Sequence, residues 1–277
     1  MSLPRFDQLV FSGGGTRCFW QGGFLKAVRG PLELAPRRLS GVSGGALSLV
    51  GYMADASEDV LEEMASCFGK TDHNIAWNTP EDDGVTPHQR LYRECVHGVI
   101  RGGVERRVAE GPPAQILLGH PPEGGRARWT GSAAAMAYEA ELHLVGAPHF
   151  DWAEKAGVTT SFVDVNDAAR QGRLADLVCA AATIPPVFEP PVWDGRPVID
   201  GGMADQAPMP EPDEGETLIL LTRHYKGLEP RAGRLYLEPE EETPADKIDF
   251  TDPGKIRDTW EAGLEDGRRF LKAHGLA

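Results

Sequence analysis

A serine flanked by glycines, Gly41-Val42-Ser43-Gly44-Gly45, fits the pattern G-x-S-x-G. A nucleophilic hydroxyl must stand clear of the backbone on a tight strand-to-helix turn, where a helix N-terminus favours developing negative charge. Glycines on either side let neighbouring elements approach without Cβ clashes. Glycine–serine runs also make plain turns, so the pentapeptide by itself is an even bet. Gly13-Gly14-Gly15-Thr16-Arg17 is a second element. Three successive glycines can aim several backbone N–H groups at one point, a cradle for a tetrahedral oxyanion. A dinucleotide fingerprint would need glycine where Cys18 stands, and a phosphate-binding loop would need Gly-Lys-Ser/Thr; neither is present. Arg17 anchors the loop, balances a nearby carboxylate, or is a surface charge.

Asp200-Gly201-Gly202 is the third element, a carboxylate that glycines allow close to another turn. An isolated Asp-Gly is usually only a turn. Eight histidines permit a rival arrangement, with His224 or His274 completing a Ser43, Asp200, His triad. Of the two, His224 follows a buried-looking strand and is the better placed. No His/Cys/carboxylate cluster suggests a metal, and no motif calls for a cofactor.

These residues need elements to hold them. Asp7 to Phe11 reads as a strand ending at the glycine loop, and about Cys18 to Val28 as a helix. Leu39-Ser40 leads into the serine turn, and Ala46 to Met53 continues as an apolar helix. Val158 to Val165 alternates as a strand, and Leu174 to Ala182 reads as a helix stopped by Pro185-Pro186. Val192 to Ile199 forms a hairpin through Asp194-Gly195, and Thr217 to Thr222 is a strand buried on both faces. Glu238 to Glu242 is a solvated loop, and Pro253 to His274 a final surface helix. Alternating strands and helices mean an α/β fold, a mostly parallel central sheet with helices on both faces. Ligands then bind beyond the carboxyl ends of the strands, where both glycine-rich turns fall.

The middle, about residues 72 to 125, has scattered Pro, Gly, His and Arg with weak periodicity and reads as an inserted, lid-like segment of a single domain spanning 1–277. Arg90, Arg93, Arg101, Arg106 and Arg107 stand there beside Leu91, Val96, Val99 and Ile100. Two readings stay open: a patch that touches a membrane surface transiently, and a solvated helix with an ordinary core face. Trp77, Trp129 and Trp152 are candidates for an acyl pocket or for core.

Apolar and charged fractions of 41% and 25% are those of an ordinary globular protein. Twenty-eight basic against 42 acidic residues give a formal charge of −14, which argues against nucleic acid as a partner. Cys18, Cys67, Cys95 and Cys179 show no regular spacing and read as free thiols in a reducing compartment. With no recognisable leader and no long apolar run, the expected location is cytoplasmic.

The ordered set of motifs resembles the patatin-like phospholipases. That family has a glycine-rich oxyanion loop ending in a basic residue, a G-x-S-x-G turn, and an Asp-Gly-Gly/Ala partner, matched here by Gly13 to Arg17, Gly41 to Gly45 and Asp200 to Gly202. Ala180 to Phe188 is similar to the alanine- and proline-rich stretch before the family's aspartate. Cys18 departs from the glycine often found after the basic residue, which puts the loop's geometry in question. The resemblance implies a three-layer fold and a Ser43–Asp200 dyad without histidine, acting on ester-linked acyl chains of lipids. It also implies an oxyanion hole from the glycine loop, Gly14 and Gly15 above all, and from the N–H of Gly44.

Overall fold

The computed structural model describes residues 3–69, 87–121, 146–149, 157–184, 189–247 and 250–276. Four short, largely buried strands form the centre of the sheet: β1 (Gln8–Phe11), β2 (Arg38–Gly41), β3 (Ala114–His120) and β8 (Thr217–Leu220). Every residue of β1 and β8 is buried, as the unbroken apolar runs require of parallel strands covered on both faces. The sheet runs β4-β3-β2-β1-β8-β9, with β4 (Thr159–Asp164) and β9 (Arg234–Leu237) at its edges. All neighbours from β3 to β9 pair in parallel, and β4 is antiparallel to β3. The expected α/β fold with a mostly parallel sheet is therefore present.

Alternation along the strands separates two apolar clusters. Leu9, Phe11, Leu218 and Leu220 face the larger one, and Val10 and Ile219 face a smaller one with Ala207, Leu221 and Tyr225. The larger cluster gathers α1 (Phe19–Val28), α2 (Gly44–Met53), α3 (Ser57–Phe68), α4 (Pro87–Val99), α5 (Gly103–Glu110), α6 (Val165–Arg170), α7 (Leu174–Ala181) and α8 (Pro253–Ala273). A small hairpin, β5 (Val192–Trp193) with β6 (Arg196–Pro197), turns at Asp194-Gly195 as expected.

The strand order reverses at β1: the chain moves outward to β2 and β3 on one side and to β8 and β9 on the other. The glycine loop lies directly beyond the carboxyl end of β1, and the Ser43 turn beyond β2. Position thus agrees with the rule that sites form at such switch points.

Two expectations change. The 72–125 segment is not one insertion, because β3 is an internal strand flanked by β2 and β4, and Tyr92, Cys95 and Val96 of α4 are buried. Pro112-Pro113 before the strand and Gly119 within it hide β3 from a reading of periodicity. The rest of the expected lid, 72–86 and 122–125, lies outside the described residues, as do Trp77, Trp129 and Trp152. Leu91, Val96, Val99 and Ile100 pack against the core, which makes them an ordinary core face of this segment. The second change is that Cys67 and Cys95 are bonded to each other, joining α3 to α4. The packing of two helices sets that pairing, so linear spacing could not reveal it, and the cysteines no longer argue for a reducing compartment. Cys18 and Cys179 are free. No helix among the described residues is long and apolar enough to cross a membrane.

Candidate active site

Ser43 is the residue before α2 and adopts φ 55°, ψ −136°, a region that side chains other than glycine rarely enter. The turn is tight because β1 and α2 touch: a Cβ on Gly45 would meet the carbonyl oxygens of Phe11 and Ser12 at 2.5 and 2.4 Å. Gly41 meets the same turn, with the Gly45 carbonyl oxygen 3.2 Å from where its Cβ would be. Glycine at 45 is therefore a packing requirement, and strain at Ser43 follows from it.

Asp200 reaches Ser43 through the sheet itself. β2 pairs with β3 as far as Gly41↔Ile116 and then leaves for the serine turn. A two-residue strand, β7 (Ile199–Asp200), pairs with β3 a little further on, at Leu118↔Asp200 and Gly119↔Ile199. The Ser43 hydroxyl donates to Asp200 Oδ2 at 2.6 Å, and both residues are buried. The other carboxylate oxygen accepts the Gly202 N–H at 2.7 Å, and Gly201 backs onto the Leu117 carbonyl of β3. Burial pushes the Asp200 carboxyl up to about 6, against the opposing pull of the Ser43 hydrogen bond, the Lys247 charge and the Gly202 N–H. A carboxyl at about 6 is still mainly ionised at neutral pH.

The glycine loop stacks on the serine turn, with Gly13 against Ser43 and Gly15 against Gly44. Gly14 and Gly15 have φ of 158° and 58°. Most N–H groups of the loop are committed: Gly13 donates to Gln206 O at 2.9 Å, Thr16 to Lys247 O at 3.2 Å, and Arg17 to Gly14 O at 3.2 Å. Gly13 is thereby removed from the expected oxyanion donors, because its hydrogen is spent on the loop that follows Asp200. Among the described residues no acceptor stands against the N–H of Gly14, Gly15 or Gly44. Arg17 anchors the loop, its Nε donating to Gly14 O at 3.4 Å.

Cys18 packs its sulfur behind Gly44 and donates to Ser12 O at 3.5 Å. Burial pushes its thiol up to about 12, so it stays protonated and fills space. His224 pairs with Glu238 at 3.1 Å on the exposed side, and His274 bonds the Phe270 carbonyl. Neither completes a triad. Among the described residues there is no group of three or more His, Cys, Asp or Glu placed to hold a metal.

From Ser43 a cleft of about 900 Å³, its open mouth included, runs along α2. Leu47, Val60, Met64, Phe68, Phe250 and Trp260 make its walls apolar, and Lys247 and Thr16 line it together with Gly15, Ser43 and Gly44. Composition did not point to these wall residues. They come from three helices and a loop, and share no motif.

By fold the molecule is an α/β protein with the Ser43–Asp200 pair at the carboxyl edge of its sheet. Residues 9–213 match the family described as patatin-like phospholipase. The chain belongs to that family of lipid acyl hydrolases. Among solved structures, VipD from Legionella pneumophila is similar over 99% of this chain and 68% of its own, at 12% identity and a TM-score of 0.48. No curated protein matches the chain.

Proposed function

We propose that the protein hydrolyses ester-linked acyl chains of lipids through Ser43 as nucleophile and Asp200 as its base. The observation that carries this reading is the 2.6 Å hydrogen bond from the Ser43 hydroxyl to a buried, largely ionised carboxylate at the head of an apolar cleft. As Oγ attacks the ester carbonyl, Asp200 takes its proton and then passes it to the leaving alcohol. Acid–base catalysis of this kind supplies about 10²–10⁴-fold. The N–H groups of Gly14, Gly15 and Gly44 receive the oxyanion, each worth roughly 3–4 kcal/mol when well aimed. The acyl chain lies in the cleft along α2, and water releases it from Ser43. All of this falls within one domain, and no step requires a metal or cofactor.

The test is covalent labelling with a fluorophosphonate, read by intact mass, on wild type, Ser43→Ala, Asp200→Asn and His224→Ala. One adduct on wild type and on His224→Ala, lost from the first two variants, is the expected pattern. A folded wild type that takes no adduct would remove the hydrolase reading and leave a lipid- or protein-binding scaffold. Loss in His224→Ala would restore the triad.

A further inference from the structure

We propose that the segment Ala245–Lys247, fastened to α8 by Thr259, is a positioning element for the glycine loop, with Thr16 and Thr259 as its positioning residues. It rests on the reading of Gly14 and Gly15 as oxyanion donors. The supporting segment, Ala245–Lys247 with Thr259, lies beyond the residues 9–213 that define the family match.

The loop is held at both ends. At its start, Gly13 donates to Gln206 O at 2.9 Å and its carbonyl accepts the Thr222 hydroxyl at 2.7 Å. At its end the C-terminal segment supplies two hydrogen bonds. The Thr16 N–H donates to Lys247 O at 3.2 Å, and the Thr16 hydroxyl donates to Asp246 O. The Lys247 carbonyl presses on Gly15 so closely that a Cβ there would overlap it. These contacts use the Thr16 N–H and fix Gly15 at φ 58°, so the two uncommitted donors are left between two fixed points.

The segment in turn is laid along one face of α8. Ala245 N–H donates to the fully buried Thr259 hydroxyl at 2.8 Å, and Glu240 N–H donates to Asp266 at 3.2 Å. Thr259 and Asp266 are seven residues apart, two turns on one face. Asp266 also accepts the Trp20 indole N–H at 2.7 Å, so the same face grips α1, which the glycine loop leads into. The linkage runs from α8 through Thr259, Ala245, Asp246 and Lys247 to Thr16. It spans 243 residues of sequence between Thr16 and Thr259.

The test uses Thr259→Val, which keeps the shape and removes the hydroxyl, with Thr259→Ser to restore it, in the whole chain. Active sites are counted by the fluorophosphonate adduct, and turnover is measured on a p-nitrophenyl octanoate. In Thr259→Val kcat is expected to fall about 10- to 100-fold with KM changed by less than about twofold, the signature of donors misaimed in the transition state. Affinity for an aliphatic trifluoromethyl ketone, which forms an oxyanion on Ser43, falls by the same factor. Affinity for the matching fatty alcohol stays, and Thr259→Ser recovers both kcat and ketone binding. An unchanged kcat per labelled site overturns the proposal, and so does equal loss of ketone and alcohol binding, which marks general loosening. Thr16→Val repeats the test from the loop side should Thr259→Val fail to fold. A wild type with no turnover and no adduct instead refutes the hydrolase reading on which the proposal stands.

Discussion

The turn that carries Ser43 and the turn that carries Asp200 place two side chains against each other by different means. Ser43 sits in a sparsely populated backbone region, wedged between a four-residue parallel strand and a ten-residue helix. Asp200 has ordinary backbone angles, φ −54° and ψ 118°, on a strand of two residues, and its carboxylate bonds its own turn through Gly202. Ser43 carries a cost in backbone strain. Asp200 carries a cost in lost hydration. Both cost the folded state free energy, and each cost can be removed separately.

The largest effect expected is on turnover. Ser43→Ala and Asp200→Asn each lower kcat/KM by about 10³-fold or more, since members of one catalytic unit fail together. Next comes packing. Gly45→Ala drives a methyl into the backbone of β1 and destabilises by about 3 kcal/mol or more, measured by urea unfolding. At Gly202 the nearest atoms to a Cβ are the side chains of Asp200 and Gln206, each 3.0 Å away. Gly202→Ala is therefore the milder change in stability. Equal losses at the two sites would erase the contrast between the turns.

Smaller, and opposite in sign, are the gains from relieving each cost. Ser43→Gly releases backbone strain, a gain of about 1 kcal/mol, but it also removes the hydrogen bond that favours the ionised Asp200, so the gain is full at low pH and reduced where the carboxylate is charged. Asp200→Asn stabilises by about 1–3 kcal/mol, but only where the carboxylate would be charged. The folded pKa, about 6, is above the ordinary 3.8, so wild-type stability is favoured at low pH and is lost as pH rises through 6. The Asn advantage is thus full above pH 6 and gone below about pH 4. Unfolding curves at pH 4 and pH 8 separate the two variants; a pH-independent gain in Asp200→Asn would sink the desolvation account.

The smallest effect is on the pH profile. Turnover requires the ionised carboxylate, so kcat/KM falls as pH drops below about 6. Lys247 lowers the Asp200 pKa, and Cys18 and Tyr92 also feel this carboxylate. Lys247→Met moves the acidic limb upward by less than about one pH unit. An unmoved limb would mean that the Lys247 charge does not act on Asp200.

The site was legible where chemistry and turn geometry share a glycine motif. Gly13 to Arg17, Gly41 to Gly45 and Asp200 to Gly202 converge because each ends or follows a strand at the same sheet edge. β1, α1, β2, β8 and α8 follow their patterns closely for the same reason: each is one face or one run long enough to show a period. Where two elements must meet before the signal exists, the reading failed. β3 looks irregular until β2 and β4 flank it, and Cys67 finds Cys95 only when α3 packs beside α4. The loss of the Gly13 N–H to Gln206 has no trace in either segment alone.

The pairing of β7 with β3 over only two positions has a consequence for how the dyad can go wrong. Side chains alternate across a strand, so slipping β7 by one residue would turn Asp200 to the opposite face and bring Ile199 or Gly201 in its place. There is no half-slipped register in which the carboxylate is merely farther away. Each molecule in a preparation would then be competent or mute, and heterogeneity from this source would appear as a fraction of dead enzyme with the living remainder at full speed.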